Sequence, residues 1–333
     1  MIHGSKGIYA YDWSNDVSEM SSAAAGNLLV SNHSYGIVAG WEYNDDSSRW
    51  EYNGRPNEKE DFRFGMYDNQ AVLYDSIAYN APFYLIVKSS GNTRASNGPT
   101  INSSTGKWFN NDSTYWRRDQ NGKWYNAGVR PDSLSKNDAY ETLPGDVNAK
   151  NILTVGAVSG ILSGYNKKED VVENSFSTWG PTDDGRIKPD IVAVGVSVLS
   201  TLSTNDSSYG YSSGTSMSSP GVAGSLLLLQ ELSYKLTNKP VRSATLKALA
   251  IHTANEAGTS PGPDYKFGWG LMNSSEAATT LNNALSSNNA SSSTDLVYED
   301  VLQNQASKTY TIVASGKKAL KATLVWTDIK GVA

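Results

Sequence analysis

Two groups of residues in this chain have the types and spacing to do chemistry. The first is Gly214-Thr215-Ser216-Met217-Ser218-Ser219-Pro220-Gly221-Val222-Ala223-Gly224, a serine among small residues, followed by a proline and the apolar run Leu226 to Leu229. The pattern predicts that a strand or loop ends at Thr215 and that a helix opens just after Ser216. The unpaired N–H groups and the positive dipole end of that helix would then surround the Ser216 hydroxyl and hold an oxyanion as it forms. Small residues on either side let a substrate backbone come close. The plainer reading is a glycine-rich helix start with a capping serine. The second group is the histidines, of which there are three, His3, His33 and His252. A serine nucleophile needs a base within hydrogen-bond reach, so each is a candidate.

These residues need elements to position them. Gly7 to Tyr11 reads as a short strand, and Asp12 to Ala25 as a helix with Ser14 or Asn15 as cap and Val17, Met20 and Ala24 on one face. Leu28 to Val30 is a buried strand running into Ser31-Asn32-His33-Ser34-Tyr35-Gly36. Residues 41–65 read as polar, aromatic and loop-like. A helix covers roughly Asp68 to Tyr79. Phe83 to Val87 is a buried strand that closes on Lys88-Ser89-Ser90-Gly91-Asn92. Residues 93–148 form a long excursion rich in Asn, Ser, Gly and Trp. Ile152 to Val158 and Ile191 to Val194 are strands, and helices follow near 217–236 and 241–254. His252 lies in the second of these as a packed or surface residue.

Strand–helix alternation with continuous apolar strands predicts an α/β fold, a parallel sheet with helices on both faces in three layers. Residues 281–294 read as a Ser/Asn linker. Thr309 to Val313 and Ala319 to Trp326 alternate like antiparallel strands. The expected organisation is an α/β domain over 1–280, the linker, and a β segment over 295–333.

Composition narrows the function. The chain has 333 residues, net charge −5 and no cysteine. It has no basic cluster, so nucleic acid is not an expected partner. It offers no thiol chemistry or disulfide. No apolar run reaches the length of a membrane span, so no membrane partner is expected.

The nucleophile segment closely resembles that of the subtilisin-like serine proteases, Gly-Thr-Ser-Met-Ala-x-Pro, with Ser218 in place of the usual alanine. Other segments follow in the family's order. Ser34-Tyr35-Gly36 resembles the strand end that lines the substrate cleft. Ser90-Gly91-Asn92 resembles the Gly-Asn whose side-chain amide is the second oxyanion donor. Ile152 to Val158 resembles the strand that comes next. Ser175 to Ser200, with Lys188-Pro189-Asp190-Ile191, resembles the segment leading to the nucleophile, and Phe267-Gly268-Trp269-Gly270 the late Gly-x-Gly turn. The aromatic insertions and trailing β segment look most like a bacterial secreted subgroup.

The resemblance implies a secreted endopeptidase acting on proteins or peptides through an acyl-enzyme on Ser216, with Asn92 as oxyanion donor. Ser34, Tyr35, Gly36, Ser90 and Gly91 would bind substrate. It implies that 1–280 are a partial catalytic domain and 295–333 the start of a β-sandwich domain. It implies no cofactor for the chemistry. The family often binds structural calcium, for which Asp45-Asp46 and Asp183-Asp184-Gly185 are the candidate loops. Trp108, Trp116 and Trp124 are expected to pack the long excursion onto the domain rather than to bind sugar.

Two members of the family's pattern have no match. Neither the Asp-Ser/Thr-Gly of the orienting carboxylate nor the His-Gly-Thr of the base occurs. His33 sits in the cleft strand, where the family places no base, and is read as cleft-lining or structural. His3 precedes Gly4-Ser5, but a strand follows at once and leaves no room for the base-bearing helix. The sequence is therefore read as beginning after the Asp and His segments, and the chain alone is expected to be inactive. A non-catalytic pseudo-protease or binding module is the alternative.

Overall fold

The computed structural model describes residues 9–12, 14–100, 113–286, 297–312, 316 and 320–333. Its centre is a sheet of four strands, β1 (Val30–His33), β4 (Leu85–Ser89), β7 (Leu153–Val158) and β8 (Ile191–Val194). They lie in the order β1-β4-β7-β8 and every pair is parallel. All of β4 and β7 is buried, as a parallel sheet covered on both faces requires.

Alternate residues serve opposite layers. Leu85, Val87, Leu153, Val155 and Ile191 pack on one face. There they meet helix α3 (Thr215–Thr237), α4 (Ser243–His252) and α5 (Ser274–Ser286) through Val222, Leu226, Leu229, Leu246, Leu249 and Leu281. Ile86 and Ile152 pack on the other face against Met20 of α1 (Asp16–Ala25) and Ala71, Tyr74 and Ala78 of α2 (Asn69–Asn80). The predicted three-layer α/β architecture is what the chain adopts. Helix α2 starts where the Asp68 carboxylate accepts the Ala71 N–H at 2.8 Å, an N-cap bond that satisfies an orphan donor.

A second sheet stands apart from the first. Strands β2 (Trp41–Asn44), β3 (Arg49–Tyr52), β5 (Thr114–Arg118) and β6 (Trp124–Val129) lie in the order β2-β3-β5-β6. Trp41, Tyr52, Tyr115 and Leu134 form its small core. Residues 41–65 are therefore not simply loop: Trp41 pairs with Tyr52 and Tyr43 with Trp50 in an antiparallel hairpin. Trp116 and Trp124 lie on β5 and β6, with the Arg49 guanidinium 4.4 Å and 5.4 Å from their ring centres. They pack within the sheet, and Trp108 lies outside the described residues. Strands β9 (Val198–Thr201) and β10 (Tyr209–Ser212) form a separate antiparallel hairpin.

Four further expectations need correction. Residues 9–12 form no strand, and Tyr9 and Tyr11 are exposed. Helix α1 begins at Asp16 rather than Asp12; Asn15, one of the two expected caps, holds the N-cap position with a left-handed φ of 63° but makes no side-chain cap bond. Helix α5 continues to Ser286 with Leu281 buried, so 281–286 are helix rather than linker. The described residues after 296 contain no strand, and Val313 and Ala319 of the two alternating segments lie outside the described residues.

Candidate active site

The parallel strands β1 and β4 end side by side, and the start of α3 meets both ends. Pairing of β1 with β4 runs from Val30↔Leu85 to His33↔Lys88 and stops. Beyond it the chain separates into two walls, Ser34-Tyr35-Gly36 and Ser90-Gly91-Asn92. Helix α3 opens at Thr215, one residue before Ser216, slightly earlier than the sequence suggested.

Thr215 fastens the Asn92 wall. Its N–H donates to Asn92 Oδ1 at 2.8 Å and its hydroxyl to the same oxygen at 2.9 Å. The hydroxyl also accepts the Gly91 N–H at 3.1 Å. With Oδ1 held twice, the Asn92 Nδ2 is the end of the amide left to donate, and Asn92 is exposed. Gly91 has φ 121°, and a Cβ there would lie 3.1 Å from Thr178 Cγ2. A Cβ on Gly214 would lie 3.2 Å from Asn92 Nδ2, so glycine lets the turn into Ser216 sit against the amide. On the other side of the wall, Thr178 Oγ1 donates to the Ser90 carbonyl at 2.7 Å.

Pro220 shapes the other wall. In a helix the N–H of residue 220 would bond the carbonyl of Ser216, but proline has none. The freed Ser216 carbonyl instead accepts the Ser34 hydroxyl at 3.0 Å. The Ser216 hydroxyl lies 3.4 Å from the Ser34 carbonyl. Asn32 extends the contact: its Nδ2 donates to Ser34 Oγ at 3.0 Å, and its Oδ1 accepts from Ser219 Oγ at 2.8 Å. Ser34 thus touches Ser216 and Asn92 touches the adjacent Thr215, with Tyr35, Gly36, Ser90 and Gly91 next to them in the chain.

The histidines are engaged elsewhere. His33 is buried; its Nε2 lies 2.6 Å from Ser31 Oγ and its Nδ1 2.7 Å from Tyr35 Oη. Burial, reinforced by the nearby Lys88 ammonium, lowers its pKa to about 4 against a weaker opposing pull from Asp16. His33 is thus a buried, hydrogen-bonded side chain of β1 that is uncharged at neutral pH. His252 Nδ1 lies 2.8 Å from Thr323 Oγ1. His3 lies outside the described residues.

Asp184 is taken up by Arg186 at 2.8 Å, and no cluster of three or more His, Asp or Glu side chains suited to a metal ion occurs among the described residues. None of the described helices is long and apolar enough to cross a membrane.

Sequence reading missed Thr215, Asn32, Thr178 and the carbonyl freed by Pro220. Pro220 was the legible signal: a proline four residues after a proposed nucleophile at a helix start must free that residue's carbonyl.

The profile of the subtilase family matches residues 4–270 of the chain. Similar proteins include C5a peptidase of Streptococcus pyogenes, 43% identical over 84 residues, which are 25% of this chain and 7% of that protein. The minor extracellular protease Vpr of Bacillus subtilis is 41% identical over 76 residues, 21% of this chain and 9% of Vpr. Subtilisin-like protease SBT3.2 of Arabidopsis thaliana is 36% identical over 117 residues, 31% of this chain and 16% of SBT3.2. The matches thus span a small part of each relative. Among solved structures, the self-cleaved protease domain of PatA aligns with a TM-score of 0.46 and 16% identity, over 80% of this chain and 67% of that one.

Proposed function

This chain belongs to the subtilase family, and on that premise we propose that it carries the nucleophile and oxyanion half of a serine endopeptidase site. Ser216 Oγ gives up its proton to a base and attacks the scissile carbonyl; the C–N bond breaks, the amine leaves carrying that proton, and water then hydrolyses the acyl-enzyme to the free acid and Ser216. The Ser216 N–H and Asn92 Nδ2 hold the oxyanion. A peptide lies extended along Ser34 to Gly36, adding a strand beside them. The observation that carries this reading is the double anchoring of Asn92 Oδ1 by Thr215, which turns the amide N–H₂ outward one residue from Ser216. The base and its orienting carboxylate come from outside the described residues, because both described histidines have other partners. Extracellular action is proposed from the name of the relative Vpr.

The engagement of those histidines also favours a second reading, in which the chain binds peptides without cleaving them. Imidazole added to the full chain separates the two. A serine site lacking its base gains turnover of an activated peptide ester when imidazole supplies one, and Ser216→Ala abolishes the gain. Equal imidazole-dependent rates in the parent and Ser216→Ala proteins would overturn the catalytic reading. Peptide binding without that gain would establish the second.

A further inference from the structure

Lys88 is a fully buried lysine in β4, four residues before Asn92, and neither the acyl-transfer steps nor the hydrophobic packing uses it. Its ammonium makes two polar contacts. Nζ donates to the Tyr35 carbonyl at 2.6 Å and pairs with Asp146 Oδ2 at 3.0 Å. It also lies 4.6 Å from the Tyr35 ring centre and 5.5 Å from that of Tyr74. Asp146 is buried as well, and its Oδ1 has no hydrogen-bond partner. That oxygen lies 3.7 Å from where a Cβ on Gly36 would stand. The pair therefore sits directly beneath the Tyr35-Gly36 end of the cleft wall.

The position is specific. The β1–β4 ladder ends at His33↔Lys88, so beyond it no backbone pairing with β4 holds the segment that a substrate would pair with. The Lys88 side chain reaches past the end of the ladder and takes the Tyr35 carbonyl. Its own backbone belongs to the strand that delivers Asn92. One side chain thus ties the two walls together: it turns the Tyr35 carbonyl inward, while the Ser34 carbonyl faces the Ser216 hydroxyl. A buried ion pair gains little net stability over apolar residues of similar volume, so stability alone gives little reason for a lysine here.

We propose that the buried Lys88–Asp146 pair is a positioning device for peptide substrates, holding the Ser34–Gly36 wall in register with Ser216 and Asn92. The inference rests on the proposed function, since it needs that wall to pair with peptide. Lys88 acts through the Tyr35 backbone and touches no reacting atom.

The test uses the full chain with the neutral double variant Lys88→Met/Asp146→Leu, which leaves no buried charge alone. Two probes are compared: an extended hexapeptide ester that spans the wall, and acetyl p-nitrophenyl ester, too short to reach it. Both are followed as imidazole-dependent turnover that disappears in Ser216→Ala. Loss of a hydrogen bond from a charged donor raises KM for the hexapeptide by roughly ten- to a hundred-fold, while the rate on the short ester stays within about two-fold of the parent. Lys88→Gln/Asp146→Asn, also neutral but too short to reach Tyr35, reproduces the loss and serves if the apolar pair fails to fold. Unchanged hexapeptide KM, or equal losses on both probes, would overturn the proposal, as would failure of both double variants to fold. Absence of Ser216-dependent turnover in the parent would instead strike the proposed function itself.

Discussion

The two four-stranded sheets of this protein are built on opposite principles. The parallel sheet has its two central strands buried on both faces, and the ends of β1 and β4 carry Ser34 and Asn92 to the turn into Ser216. The second sheet is held by aromatic rings and cations: Trp41, Tyr52 and Tyr115 inside, and Arg49 over Trp116 and Trp124. It contributes no candidate catalytic residue. A tie joins the two, for Asn137 Nδ2 donates to the Trp41 carbonyl at 3.1 Å and to the Thr93 carbonyl, next to Asn92, at 3.0 Å. The difference teaches that a chain can separate the sheet that positions chemistry from the sheet that shapes its surroundings. The variants below are expected to fall on one side or the other.

The largest effect is expected from Trp41→Ala. Trp41 is fully buried and its indole N–H donates to the Ser135 carbonyl at 2.7 Å. Removing a buried tryptophan costs about 3–5 kcal/mol, and hydrogen exchange should show the loss concentrated in β2, β3, β5 and β6. Ser216-dependent turnover per folded molecule should change only a few-fold. A larger fall would break the comparison and mean that the aromatic sheet sets the Asn92 loop through Asn137.

Asn92→Ala is the converse. It should lower turnover by roughly 10²–10³, about 2.7–4 kcal/mol, with little change in KM or thermal midpoint. That figure is borrowed from subtilisin's own asparagine donor. A change confined to KM would make Asn92 a substrate-binding residue.

The parallel sheet was the legible one. Leu28 to Val30, Phe83 to Val87, Ile152 to Val158 and Ile191 to Val194 are short apolar runs bounded by turn residues, and each marks a strand to within a few residues. The second sheet also carried a signal, since Trp41-Glu42-Tyr43-Asn44 and Arg49-Trp50-Glu51-Tyr52 alternate with period two. Their polar half and the surrounding Asn and Ser masked it. At the candidate site, Ser216, Asn92 and Ser34 could be picked out by motif. Thr215, Asn32 and Lys88 could not, because their roles depend on contacts across more than 50 residues of sequence.

A pH series sharpens the parallel-sheet side. Burial and Lys88 hold the His33 pKa at about 4 in the folded protein, below its ordinary 6.5. Between those values the unfolded chain takes up a proton that the folded protein refuses. The stabilisation is therefore complete above about pH 6.5 and lost as pH falls toward 4, roughly 3 kcal/mol in all. His33→Gln should flatten thermal midpoint against pH in that window. An unchanged slope would assign the acid sensitivity to other groups.

The smallest effect tests how the Ser34 wall is fastened. Pro220→Ala restores the N–H that a helix aims at the carbonyl of Ser216, and that carbonyl now holds the Ser34 hydroxyl at 3.0 Å. A carbonyl oxygen has two lone pairs, so the new bond competes with Ser34 rather than excluding it. Asn32 still donates to Ser34 Oγ at 3.0 Å and keeps the wall near its place. A weakened hydrogen bond worth about 0.5–1 kcal/mol corresponds to a two- to five-fold rise in peptide KM. Alanine is also the better helix former, so the thermal midpoint should rise as affinity falls. Opposite movement of the two measurements is the distinguishing result. If midpoint and affinity fell together, Pro220 would be needed for the helix itself, and the contact between Ser34 and the Ser216 carbonyl would be a consequence of packing rather than of the missing N–H.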